Sequence, residues 1–219
     1  KQKIVNPFFS ADFLAGKGFD TVTCPASSCY GDNVFFPRID YHLRNTFDSF
    51  SKGLAENLKG SLLTSWTVHL FPWELQTPSI EAASYVHSNP EATLTDFKLY
   101  FVNKYFGIDD LSFFQACDLL SLDCLFSTTK SIGLDKKGMS VSNDFIEKSL
   151  ELLKEKCRLE SELNNCHNRL KGYLKGLDIL TNFSKKATKG QAELETWLLA
   201  ARNMINRAEA SICLLNTKL

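Results

Sequence analysis

The apolar positions of this chain change their period partway along, and that change divides it. Residues 10–16 read as a short helix closed by Gly16 and Gly18. The β-branched and aromatic run over residues 19–24, ended by Pro25, then reads as a strand. A turn-rich loop follows through Ser27, Cys29, Tyr30, Gly31, Asp32 and Asn33. From Pro37 onward Ile39, Leu43, Phe47, Phe50, Leu54 and Leu58 recur at spacings of three and four, which predicts an amphipathic helix with Pro37 at its start. Gly60 closes that helix, and residues 61–66 read as a second short, buried strand. A polar and aromatic loop leads through His69, Phe71, Pro72, Trp73 and Glu74 to a helix beginning at Thr77 and Pro78. Strand, long loop, helix, repeated, predicts β/α units about a parallel sheet, with long loops at the carboxyl ends of the strands.

After Pro90 no stretch alternates like a strand. Leu94, Phe97, Phe101, Val102 and Tyr105 make a helix stopped at Gly107, and residues 111–122 make another. Residues 127–142, rich in Gly, Ser, Thr and Lys, read as a surface loop, and Asp144 with Glu147 reads as a capping box. Then Leu159, Leu163, Cys166, Leu170, Tyr173, Leu177 and Leu180 alternate spacings of four and three. Beyond a basic loop over residues 184–190 the stripe returns as Leu194, Leu198, Ala201, Ile205, Ala208, Ile212 and Leu215. Two such stripes predict an antiparallel helical hairpin. The expected organisation is β/α over residues 1–90 and all-α over 91–219.

Composition narrows the function classes. The chain has 219 residues with no net charge, which argues against a nucleic-acid or anionic-membrane surface. No apolar run approaches the ~20 residues of a membrane helix. Seven cysteines, an odd number without a C-x-x-C pair, fit neither a disulfide framework nor a zinc site. They point to a reducing, cytoplasmic compartment, with an extracellular protein holding one or two bridges left open. The amino-terminal residues have no apolar segment of the kind a signal peptide needs.

Two loops carry candidate chemistry. Tyr30, Gly31 and Asp32 offer a phenol and a carboxylate at a tight turn, suited to carbonyl oxygens and sugar hydroxyls. Trp66, His69, Trp73 and Glu74 lie within nine residues, and an indole against a pyranose face beside a carboxylate is a sugar-holding combination. Packing alone also accounts for each: a Gly-Asp turn with Tyr30 over the strand end, and indoles plugging the top of the sheet. His42, His87 and His167 have no partners at metal spacing and read as solvated, capping or structural. With no Gly-rich phosphate loop, nucleophile elbow or H-E-x-x-H, neither a cofactor nor a metal is expected.

The path Gly18-Phe19-Asp20-Thr21-Val22-Thr23-Cys24-Pro25-Ala26, then Tyr30-Gly31-Asp32, then Gly60-Ser61-Leu62-Leu63-Thr64-Ser65-Trp66 resembles glycoside hydrolase family 20, the β-N-acetylhexosaminidases and their divergent relatives. The resemblance covers residues 8–89. It implies the last β/α units of a (β/α)8 TIM barrel followed by a helical carboxy-terminal domain. It further implies that Tyr30 binds the N-acetyl oxygen, that Asp32 fixes the sugar and that Trp66 forms part of the pocket. The family's Glu two residues beyond that Trp is Val68 here, and Glu74 beside Trp73 is the substitute. The family cleaves by substrate assistance, using an Asp-Glu pair after strand four. No Asp-Glu dipeptide occurs in this sequence, so no catalytic residue is expected in the chain, which alone should be inactive. The implied partners are a β-linked N-acetylhexosamine glycan and the rest of the barrel, as an upstream segment or a second chain. The competing readings are a non-catalytic helical interaction module and a barrel relative that only binds sugar.

Overall fold

The computed structural model describes residues 9–29, 32–33, 35–55, 58–66, 72–122, 134–135, 138–139 and 156–217. Its helices are α1 (Phe9–Gly16), α2 (Ile39–Ala55), α3 (Thr77–Ser88), α4 (Leu94–Phe106), α5 (Ser112–Leu120), α6 (Lys156–Lys186) and α7 (Gln191–Asn216). The strands are β1 (Val22–Thr23), β2 (Ala26–Ser28), β3 (Gly60–Ser61), β4 (Thr64–Ser65), β5 (Leu134–Asp135) and β6 (Gly138–Met139). A 3-10 turn, Trp73–Gln76, precedes α3.

The barrel expectation is overturned. Among the described residues the strands are two or three residues long and pair only in twos: β1 with β3, β2 with β4, β5 with β6. The first two ladders are parallel, with α2 between their strands, as the order of sequence signals predicted. They do not extend into a barrel wall. The register shifts between Ala26 and Ser28, directly beyond Pro25, whose ring nitrogen has no hydrogen to give a ladder. Val22 and Leu62 are exposed, so this part of the ladder lies under no apolar layer. What dominates the described chain is helix packed on helix. The residues read as a surface loop also hold a strand pair, since β5 and β6 run antiparallel.

The core is aromatic and helical. Ile39, Leu43 and Phe47 of α2, with Phe36 just before it, share one buried cluster with Val86 of α3 and Phe97 and Phe101 of α4. Trp197 of α7 meets Phe36 edge-on at 5.5 Å and Phe113 at 4.9 Å. Edge-to-face contacts of this kind place the positive ring edge on the negative π face. One buried cluster thus joins segments on both sides of position 90.

The helical hairpin follows its sequence stripe. On α6 Leu159, Cys166, Tyr173 and Leu180 are buried, and on α7 Leu194, Ala201, Ile205, Ala208 and Leu215. The intervening stripe positions Leu163, Leu170, Leu177, Leu198 and Ile212 are partly buried against the same cluster. Gly176 lets α6 approach α5: a Cβ there would lie 2.9 Å from Leu120 Cγ and 3.2 Å from the Ala116 carbonyl oxygen. At the hairpin turn Gly190 takes φ +72°, and the Thr188 N–H donates to the Phe106 carbonyl at 3.0 Å, tying the turn to the end of α4. The proposed capping box at Asp144 and Glu147 lies outside the described residues. One does form at α4, where Thr93 and Asp96 cap reciprocally.

Candidate functional site

The carboxyl ends of β2 and β4 converge on a polar layer in which Ser27, Ser28 and Gln76 are buried and Ser65 is exposed. Gln76, the last residue of the 3-10 turn, accepts at Oε1 from both the Ser27 and Ser65 hydroxyls, each at 2.7 Å. The Ser28 and Ser65 hydroxyls are 3.1 Å apart. The Trp66 N–H donates to the Ser28 carbonyl at 3.2 Å, continuing the parallel ladder by one step. A single buried amide oxygen therefore ties both strand ends to the turn that carries Trp73 and Glu74. Nothing in the sequence pattern singles out Gln76; its signal is only that a glutamine precedes an apolar helix.

Beyond β2 the chain folds back on itself. Cys29 N–H donates to Asp32 Oδ2 at 2.8 Å, and Asp32 N–H to the Cys29 carbonyl at 3.0 Å. Asp32 is fully buried, and its oxygens are taken. Oδ1 accepts from the Arg38 N–H at 3.1 Å and from Arg38 Nε at 3.2 Å. His42 Nε2 lies 2.8 Å from both carboxylate oxygens. Burial alone would raise the Asp32 pKa, but the His42 hydrogen bond and charge, with the two backbone N–H donors, bring it below the usual aspartate value. Arg38 also donates from Nη2 to Cys29 Sγ at 3.3 Å, and its guanidinium lies 4.4 Å from the centre of the Tyr41 ring.

His42 is where the sequence reading fails most clearly. Read as a helix residue with a solvated or capping role, it is wholly buried. Nδ1 lies 2.7 Å from the Ala26 carbonyl, which can only accept, so this nitrogen donates. Nε2 then points at a carboxylate. The imidazole bridges β2 to the loop that follows it. Cys29 Sγ, an Asp32 oxygen and a His42 nitrogen all lie within 4.8 Å of one another, the one such three-donor group among the described residues.

The sequence candidates separate into three groups. Trp66 and Trp73 are exposed, at 64% and 59% of their surface, and Glu74 is exposed beside Trp73. Asp32 is buried and fully hydrogen-bonded, with no oxygen left facing solvent. Tyr30 and His69 lie outside the described residues. The layer also reaches the hairpin, because the Leu122 carbonyl accepts from Asn33 Nδ2 at 3.3 Å and from the Tyr173 hydroxyl on α6. Among the described cysteines, Cys24, Cys29, Cys117, Cys166 and Cys213 form no disulfide. No described helix is long and apolar enough to cross a membrane. No family model, no curated protein and no solved structure matches this chain.

Proposed function

We propose that the chain supplies an aromatic sugar-binding face to a glycoside hydrolase resembling the β-N-acetylhexosaminidases. The observation that carries this reading is the exposure of two indoles, Trp66 directly after Ser65 and Trp73 in the 3-10 turn of Gln76, the two residues that one hydrogen bond ties together. Large aromatic side chains bury 150–250 Å2 each when covered, as an order of magnitude, so leaving two of them open forgoes a substantial gain. A pyranose recovers it by laying its C–H face on the ring, while its hydroxyls find a carboxylate such as Glu74. Asp32 serves this face indirectly: its oxygens are occupied, and it fixes the loop after β2.

The chain binds and does not cleave. An adjacent Asp-Glu pair is the chemistry the resemblance requires, and no such dipeptide occurs in the 219 residues. The pair comes from other polypeptide that shares the glycan with this face.

The test is a titration of the protein with N-acetylglucosamine oligomers, read by tryptophan emission and by calorimetry. A saturable response selective for these oligomers over maltose oligomers is expected, with no turnover of a chromogenic N-acetylglucosaminide. No binding up to about 10 mM, a bound of roughly −3 kcal/mol on the affinity, overturns the proposal.

A further inference from the structure

The group Cys29, Asp32 and His42 contains more than an ion pair requires. Asp32, His42 and Arg38 already complete a buried electrostatic lock, yet a thiol stands within 4.8 Å of the carboxylate and imidazole donors. Cys29 and Asp32 are held together by the Cys29 N–H on Asp32 Oδ2 and the Asp32 N–H on the Cys29 carbonyl, which delivers the sulfur and the carboxylate together. The first turn of α2 delivers the imidazole. His42 is also oriented as metal-binding histidines commonly are: Nδ1–H donates to a backbone carbonyl, here Ala26, which fixes the ring and aims Nε2 at the other two donors. With Nδ1 as the donor, Nε2 faces two carboxylate oxygens at 2.8 Å, an apposition that needs a proton or another cation between them.

We propose that Cys29, Asp32 and His42 form a three-donor site for Zn2+. One sulfur, one imidazole nitrogen and one carboxylate oxygen are the donor types zinc takes, and three protein ligands leave a fourth position for water or a ligand. Charge supports the assignment. The cluster already holds a cation at its edge, the Arg38 guanidinium, which donates to both Asp32 Oδ1 and Cys29 Sγ, so the pocket is built around positive charge. With the thiolate and the carboxylate as ligands the site is neutral. Zinc binds Cys29 as the thiolate and His42 through an unprotonated Nε2, and any proton displaced from these donors passes to solvent. Arg38 gives up its contacts to Cys29 Sγ and Asp32 Oδ1; with its side chain 35% exposed and stacked on Tyr41, it has an outward path. Cys29 is half-buried, so the ion reaches the site from the same side. Asp32 is shared with the loop that supports the sugar face, but metal binding is read without sugar, so either reading can fail without the other.

The full 219-residue chain, reduced and stripped with a chelator, is titrated with Co2+ as a spectroscopic substitute for zinc. One equivalent should produce a thiolate-to-cobalt charge-transfer band in the near ultraviolet and the strong visible bands of four-coordinate cobalt, both erased by Zn2+. Cys29→Ser should remove the charge-transfer band and weaken binding by at least about tenfold, the lower end of what even outer-shell losses cost. His42→Gln should weaken it similarly. Arg38→Gln should keep the site or tighten it, because it removes a competing cation. Replacing the exposed Cys24 and Cys213 with serine should change nothing. No charge-transfer band at one equivalent overturns the proposal, as does a band that survives Cys29→Ser, disappears with Cys24 and Cys213, or is lost in Arg38→Gln. Because Cys29→Ser changes one half-buried atom, it remains decisive even if the His42 variant fails to fold.

Discussion

His42 Nε2 stands 2.8 Å from both oxygens of Asp32, and both side chains are sealed from solvent. A buried pair of this kind costs more to break than it adds over an apolar substitute, since a single mutation leaves the other polar side chain buried without its partner. Asp32→Asn should therefore destabilise the protein at neutral pH by about 3 kcal/mol in urea unfolding. The acid dependence follows from the lowered Asp32 pKa. An unfolded aspartate titrates near about 3.9, so the contribution is complete above that value and is lost as pH falls through the lower folded value. Asp40, Glu81, Asp96 and Asp110 shift the same way and share the acid slope. The difference between wild type and Asp32→Asn isolates one residue. It should shrink as the pH falls below about 4. A difference that grows on acidification contradicts the role assigned to Asp32.

Gln76 holds two strand ends with one oxygen, so its removal takes that acceptor from the buried Ser27 hydroxyl and from the exposed Ser65 hydroxyl. Gln76→Leu should cost about 1–3 kcal/mol, the desolvation penalty of a hydroxyl that loses its partner. Ser65→Ala should cost measurably less in the Gln76→Leu background than in wild type, with a coupling of at least ~0.5 kcal/mol. Additive losses in this double-mutant cycle contradict the shared contact.

Two glycines one turn apart on α6 should respond with opposite sign. At Gly172 a new Cβ meets only the Leu119 carbonyl oxygen at 4.0 Å, so alanine gains helix propensity without a clash. Gly172→Ala should stabilise by up to about 1 kcal/mol. At Gly176 the Cβ would press on the Ala116 carbonyl oxygen at 3.2 Å as well as on Leu120, and a backbone atom cannot turn aside. Overpacking of about 1–3 kcal/mol should outweigh the propensity gain, leaving Gly176→Ala less stable in thermal unfolding. Equal shifts for the two variants contradict the close approach of α5 and α6.

The hairpin was legible in the sequence because its stripes are local: Leu159 to Leu180 and Leu194 to Leu215 repeat without interruption, and the periodicity names the buried face. The strands were legible only as sites. The run ending at Pro25 marks where β1 lies and the run ending at Trp66 marks where β4 lies, but ladder length depends on partners that no local pattern specifies. Inferring a barrel from two such runs and a family resemblance asked a local signal to fix a global closure. The polar layer was hidden for a related reason. His42 sits among Tyr41, Leu43 and Arg44, where a histidine looks like part of a solvated helix face, and its partner lies across a loop. Asp32 stands out in the sequence for its loop and motif, but its burial cannot be read from spacing.

The three tryptophans make the sugar-binding face testable without any label. Trp197 is 2% exposed and wedged against Phe36 and Phe113, whereas Trp66 and Trp73 present most of their surface to water. Emission should therefore resolve into one blue, iodide-resistant component and a red, quenchable one. Trp197→Phe should remove the first, and Trp66→Phe with Trp73→Phe the second. Stability separates them too: losing the exposed indoles to alanine should change unfolding by less than ~0.5 kcal/mol, while Trp197→Ala should cost about 3–5 kcal/mol. An N-acetylglucosamine oligomer that lies on this face should shield the quenchable component and leave the other untouched. Trp66→Ala and Trp73→Ala should then weaken binding by at least about tenfold, near 1.4 kcal/mol, with the fold intact. If sugar protects neither indole, or binds equally well without both, the exposed tryptophans have another purpose and the carbohydrate reading fails with them.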